Sequence, residues 1–429
     1  MDRRKLLLLQ VAGLGHEFLL RHHGTGELEH IPIQPIDSVF PALTCPVQAS
    51  VRTGLPPSGH GMIGNSCFDR RTGRPSFWEQ DSRLVEGPRA WKPGHKVGML
   101  FWQQSLGEEV DLLLSPAPIH KHGGGMVEAV YSRPEALYQE LCATYGKPFR
   151  LSSYWGPLAS AAGSRWIAAA VTRILEREND APDLLLAYLP LLDYPLQKYG
   201  PDGPEAARAW HTLLPLLTGL LGTARRIGFE VVIFGDYALA PVSSAVFPNQ
   251  ALREAGLLPV RRVGRRLYPD FHYARAFAVA DHEIAQVYCR EPADVPAALS
   301  ALSRLPGVGT LLHGESLSAA GVAHPSAGEI VALAAEGSWF AYPWWDSDCE
   351  APDYASHVDI HNKPGYDPCE LFLGWPPFTV SRNTSRIRGS HGRTGPGREV
   401  AFLSTRPPGF PVKSVLDLAR ILREHLEGA

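Results

Sequence analysis

Four short apolar runs constrain this chain most: Lys5 to Val11 (KLLLLQV), Lys96 to Trp102, Asp183 to Leu189 and Glu230 to Phe234. Each is nearly continuous in apolar residues instead of alternating with polar ones, the pattern of a strand covered on both faces. Longer stretches of helical periodicity lie between them. Ser164 is placed to cap a helix running through Leu175. Pro204 opens another through Arg226, whose Trp210, Leu213, Leu214, Leu217 and Leu221 form one apolar stripe. Strands alternating with helices predict an α/β fold, a mostly parallel central sheet with helices on both faces.

After Asp236 the rhythm changes. Residues 242–337 hold a helix near Asn249 to Ala255, a strand from Ala276 to Val279, and a strand-helix-strand pattern from Ile284 to Leu312. This reads as an inserted α+β subdomain, dividing the chain into a first core part (1–241), the insertion (242–337) and the core completion with a C-terminal helix (338–429). The last main-sheet strands are expected at Glu329 to Ala334 and Cys369 to Leu373. The segment from Val380 to Arg398, rich in Arg, Ser, Gly and Thr, reads as a mobile loop with a substrate lid as the other option. An amphipathic helix from Ser414 to Leu426 closes the chain.

Composition narrows the function classes. With 41 basic against 44 acidic residues, the chain has no global field to recruit a nucleic acid polymer or an anionic membrane, so phosphate chemistry would have to be local. Its six cysteines include no C-x-x-C pair, which argues against a structural zinc cluster and for reduced thiols in a cytoplasmic enzyme. No apolar run approaches the roughly 20 residues of a membrane helix. The N-terminal run is broken by Gln10 and followed by His16 and Glu17, so it reads as a first buried strand and not as a leader. The KHGGG run at Lys121 to Gly125 lacks the G-K-S/T context of a phosphate loop and reads as a flexible loop. Nothing in the composition fixes an oligomeric state.

Two carboxylates directly follow buried runs: Asp193 after DLLLAYLPLL and Asp236 after EVVIFG. In an open parallel sheet the ligand crevice lies outside the carboxyl ends of the strands, so both should face one rim. Thr44 belongs on the same rim. It stands in VFPALTCPVQASVRTGLPPSGHGMIGNSC, Val39 to Cys67, in a turn of Pro, Cys and small residues that can present its hydroxyl as a nucleophile.

That segment resembles the nucleophile segment of the type I phosphodiesterase/nucleotide pyrophosphatase family of the alkaline phosphatase superfamily. The matching pieces are Thr44-Cys45-Pro46, Thr53-Gly54-Leu55, Pro57, His60-Gly61 and Gly64-Asn65. Further elements match in order: YLPLLDYPLQKYGPDGP around Asp193, VVIFGDYAL around Asp236 and VDIHNKPGYDPCELFL around His361, so that the likeness runs from about residue 5 to residue 375. The resemblance implies an alkaline phosphatase-like fold and a hydrolase or transferase acting on a phosphate ester or phosphoanhydride of a small molecule. It makes Thr44 the attacking group, gives Asn65 a phosphate oxygen to hold, and makes Asp193, Asp236 and His361 ligands of a divalent metal (zinc, manganese or magnesium).

The chain also departs from the pattern. Where the family has His, this sequence has Gln197 and Tyr237, and the first strand ends in Ala12-Gly13 where Asp-Gly is expected. A carboxamide and a phenol are poor zinc ligands, so the expectation is one ion or none in place of a pair. Lys198, Asp359 and His282 are further candidates for acid/base help or phosphate contact, beside Gln197 and Tyr237; the H-x-D-x-H run of His357, Asp359 and His361 would share one face if extended. The alternative is a repurposed, non-catalytic member that binds a phosphorylated ligand or partner.

Overall fold

A computed structural model describes residues 5–122, 126–177 and 180–427. Gly123 to Gly125 of the KHGGG run lie outside the described residues. The four apolar runs become adjacent central strands: β1 (Lys5–Val11), β3 (Val97–Leu100), β6 (Leu184–Leu189) and β7 (Phe229–Gly235). With β2 (Gln34–Ile36), β4 (Leu112–Pro116), β5 (Val130–Arg133) and β12 (Val400–Ser404) they form an eight-stranded sheet in the order β5-β4-β3-β6-β1-β7-β12-β2. The run from β4 to β7 is parallel, and β5 and β12 pair antiparallel to their neighbours at either end. Every residue of β6 is buried. Successive side chains point to opposite faces, so both faces of the sheet centre are covered.

Helices α3 (Ala161–Leu175) and α5 (Pro204–Ile227) pack against each other, on β6 and β7 respectively. Ser164 does not cap α3. The helix begins three residues earlier after an extended Ser160, and Ser164 lies inside it with a buried hydroxyl that has no hydrogen-bond partner. The C-terminal helix α8 (Asp417–Glu427) packs on α2 (Thr44–Thr53). No helix among the described residues is long and apolar enough to cross a membrane.

A second sheet holds β8 (Ala276–Asp281), β9 (Ile284–Cys289), β10 (Val308–His313) and β11 (Ile330–Ala334) in the antiparallel order β8-β9-β11-β10, with α7 (Val295–Ser303) between β9 and β10. Two expectations are corrected here. Glu329 to Ala334 belongs to this second sheet, and Cys369 to Leu373 opens as a short 3-10 turn; the strand that returns to the main sheet is β12. Apolarity alone cannot say which of two sheets a strand joins. The second sheet has its own apolar core, including Leu252, Phe277, Tyr288, Leu302 and Trp344.

Candidate active site

The register of the main sheet sets the two carboxylates side by side. Val11 of β1 pairs with Leu189 of β6 and with Gly235 of β7, so the strands end together. Asp236 follows β7 at once, and Asp193 opens α4 (Asp193–Tyr199) four residues past β6. Gly235 permits this close packing: a Cβ there would sit 2.2 Å from the Leu14 carbonyl oxygen.

Thr44 is the first residue of α2, entered from an extended Leu43 and closed by Gly54 in the left-handed conformation. Its Oγ1 donates to Asp236 Oδ2 over 3.4 Å. Behind Thr44, Asp236 is fully buried and accepts from Gln10 Nε2 at 2.7 Å on Oδ2, and from the backbone N–H groups of Gly13 and Tyr237 at 3.0 Å each on Oδ1. Burial dominates over these donors and pushes its carboxyl up to about 7. Asp193 accepts from Tyr237 Oη on Oδ1 and from Gln197 Nε2 on Oδ2, both at 2.8 Å, and burial raises it to about 6. Gln197 in turn accepts from Tyr366 Oη at 2.8 Å.

Asn65 bridges the two sheets. Its Oδ1 accepts from the backbone N–H of Cys45 at 3.1 Å, while its own N–H and Nδ2 donate to Asp281 at 2.9 and 3.2 Å. Asp281 ends β8 and also accepts from His282 Nδ1 at 2.8 Å. Four rings follow one another across this junction in the order Tyr237, His391, His282, Tyr366, with centroid separations of 3.4, 3.8 and 3.8 Å; the outer two pairs stack and the two imidazoles are tilted by 36°. His391 Nδ1 donates to the Ala42 carbonyl, leaving Nε2 4.0 Å from Asp193 Oδ1; burial holds this imidazole well below its ordinary pKa.

These groups floor a cavity of about 420 Å³, lined by Thr44, Asn65, Asp193, Tyr237, His282 and His391 and walled by Trp78, Tyr154, Trp155, Tyr194 and Leu158. No lysine or arginine appears among its lining residues within the described part of the chain. Of the sequence candidates, Thr44, Asn65, Asp193, Tyr237, His282, Asp359 and His361 line it; Asp236 and Gln197 lie behind as partners of Thr44 and Asp193. Lys198 is turned elsewhere, its ammonium 5.1 Å from the Phe372 ring centroid.

The segment of Asp359 and His361 is a turn, not the strand that alternation implied. Asp359 caps it by accepting from the backbone and side chain of Asn362, and His361 Nδ1 donates to the Phe77 carbonyl at 3.0 Å. The imidazole beside Asp193 is His391 instead. It comes from the stretch expected to be a mobile loop, where Ser390, His391 and Gly392 are buried and Gly389–Ser390 forms a short strand. The available signal was a His-Gly pair flanked by small residues. Gln10 was likewise visible as the polar residue that interrupts the apolar run Leu6 to Val11 of the first strand.

The sequence profile of type I phosphodiesterases and nucleotide pyrophosphatases matches residues 6–367. The chain belongs to this family. An uncharacterized pyrophosphatase/phosphodiesterase of Schizosaccharomyces pombe is 25% identical over 222 residues, 50% of this chain and 39% of that protein, so the chain spans about two fifths of that relative's length. Phosphonoacetate hydrolase from Sinorhizobium meliloti, solved with phosphonoformate, shares the fold at a TM-score of 0.64 and 18% identity, covering 99% of this chain and 96% of that one. Murine ectonucleotide pyrophosphatase/phosphodiesterase 5 does so at 0.61 and 16%, covering 99% and 95%. The fold is thus alkaline phosphatase-like.

Family members are metal-dependent, which makes the donor set of this phosphodiesterase-family chain the next question. Among the described residues no group of three or more His, Cys, Asp or Glu is disposed to hold a metal ion. Both oxygens of Asp193 and both of Asp236 already accept hydrogen bonds from neutral protein donors. Tyr237 extends its phenol to Asp193, and Gln10 and Gln197 present N–H groups where a cation would need lone pairs. This set does not fit a dinuclear centre.

Proposed function

We propose that this chain hydrolyses phosphate diesters of small, partly apolar alcohols through a phosphothreonine at Thr44, without a resident divalent cation. The observation that carries the reading is the Thr44 hydroxyl donating to Asp236, a buried carboxyl poised near neutral pH. A carboxylate of that basicity suits a general base at physiological pH. Thr44 oxygen bonds to phosphorus, its proton passes to Asp236, the bond to the leaving alcohol's oxygen breaks, and that oxygen takes a proton from water at the cavity mouth.

Asn65 has two Nδ2 hydrogens and uses one on Asp281, so the other is available to a phosphoryl oxygen. The head of α2 adds its partial positive charge. A cavity with no lysine or arginine among its described lining residues favours a singly charged diester over a multiply charged nucleotide pyrophosphate, and its aromatic walls favour an apolar ester group. The fold neighbours solved with phosphonoformate or AMP support a small-molecule ligand.

The test is hydrolysis of bis(4-nitrophenyl) phosphate by protein stripped with EDTA and assayed for metal content. Turnover should persist with well under one ion per chain and vanish in Thr44→Ala. Stabilisation by the diester with no turnover would instead mark a binding protein, and turnover restored only by added Zn²⁺ or Mn²⁺ would overturn the cation-free reading.

A further inference from the structure

His282 sits at the tip of the β8–β9 hairpin. Asp281 pairs with Ile284, so His282 and Glu283 form the whole connection. Its φ is +64°, a left-handed conformation that Asn or Gly adopts more readily than His. A side chain that tolerates this backbone is ordinarily short or absent; here a full imidazole is kept and buried. Its ring is clamped between those of Tyr366 and His391, each 3.8 Å away between centroids.

The two nitrogens of this ring differ. Nδ1 faces Asp281 Oδ1 at 2.8 Å, and Asp281 Oδ2 is held by the Asn65 N–H. With Nδ1 carrying the hydrogen, and with burial lowering the imidazole to about 3 so that the ring stays neutral at pH 7, Nε2 bears a lone pair. Nε2 is buried, has no hydrogen-bond partner among the described residues, and belongs to a side chain that lines the cavity. An orphaned buried acceptor is destabilising unless something bound donates to it. The same carboxylate therefore orients the Nε2 lone pair and, through Asn65 and the Cys45 N–H, the residues around Thr44. A carboxylate fixing one imidazole nitrogen while the other keeps an unshared lone pair on a residue of the cavity lining is the arrangement of a general base.

We propose that His282 is the catalytic base of the second half-reaction, taking a proton from the water that cleaves the phosphothreonine. The inference rests on the Thr44 reading. Water oxygen bonds to phosphorus and gives one proton to His282 Nε2. The bond between phosphorus and Thr44 oxygen breaks, and that oxygen recovers its proton from Asp236. The phosphate monoester leaves with the other water hydrogen, and His282 returns its proton to solvent. The protein groups end as they began.

His282→Asn keeps a residue suited to the left-handed turn and removes the base; His282→Gly does the same and opens a ring-sized gap. With bis(4-nitrophenyl) phosphate, His282→Asn should release one nitrophenolate per chain at close to the wild-type rate and then slow in steady state by about 10²–10⁴-fold. Intact mass should show the 4-nitrophenyl phosphoryl group on Thr44. Added imidazole should restore steady-state turnover in His282→Gly, an effect that a purely structural role would not produce. A His282→Asn protein that melts like the wild type and either keeps its steady-state rate or loses burst and steady state equally would overturn the proposal. Turnover that survives in Thr44→Ala would remove the phosphothreonine reading and this inference with it, whereas Thr44-dependent turnover indifferent to His282 would remove this inference alone.

Discussion

Two buried acidic clusters in this molecule are neutralised in opposite ways. Around Lys363, an ammonium that is itself buried lies 2.7 Å from Asp367 and 2.7 Å from Glu370, and the two carboxylates raise its pKa. Around Thr44, the donors to Asp193 and Asp236 among the described residues are neutral: Thr44 itself, Gln10, Gln197, Tyr237 and backbone N–H groups. The first cluster is closed electrostatically and fixes the chain between Asn362 and Leu371. In the second, burial without a counter-ion pushes the carboxyls up to about 6 and about 7. A structural ion pair suppresses proton exchange; an active site needs it.

The sharpest way to break the comparison is to remove the cation from the closed cluster. Lys363→Met should destabilise the fold by about 3–5 kcal/mol, because two buried carboxylates lose their counter-ion, and urea denaturation would show it. Asp236→Asn tests the open cluster. The wild-type carboxyl binds its proton more tightly folded than unfolded, so its contribution to stability is present below pH 4 and is lost as pH rises to about 7. The variant should therefore gain on the wild type across that window, by about 4 kcal/mol at most, while turnover falls. Differences between variants are needed because His60 and His282, lowered to about 3 by burial, push stability the other way as pH rises from 3 to 6.5. The smallest effect is expected from Gln10→Leu. Losing this donor should cost about 1–3 kcal/mol above pH 7 and less at pH 5, and should move the acid limb of the rate profile to higher pH.

Much of this arrangement was legible in the residues. The central strands announced themselves as unbroken apolar runs, and Asp193 and Asp236 as carboxylates just beyond their ends, because a doubly covered parallel sheet leaves few other patterns. Gln197 and Tyr237 were readable as departures, but not that they would satisfy Asp193 directly. His391 was hidden by its neighbours. A segment dominated by arginine and glycine reads as solvent-facing on average, yet a few small residues suffice to carry one imidazole into the core. Family register brought His361 to the cavity wall, but did not give its pairing there: its Nδ1 is engaged with the Phe77 carbonyl. Hairpin geometry at His282 depends on pairing between β8 and β9, which no local pattern specifies.

The Tyr237 phenol has a consequence for which single substitutions this chain can absorb. Tyr237 donates to Asp193, Asp193 accepts from Gln197, and Gln197 accepts from Tyr366. Replacing Tyr237 alone by histidine would strip Asp193 of that donor, and replacing Gln197 alone by histidine would take the acceptor from Tyr366. Each single exchange leaves a buried polar group without its partner, so these side chains are interlocked and change at least cost together.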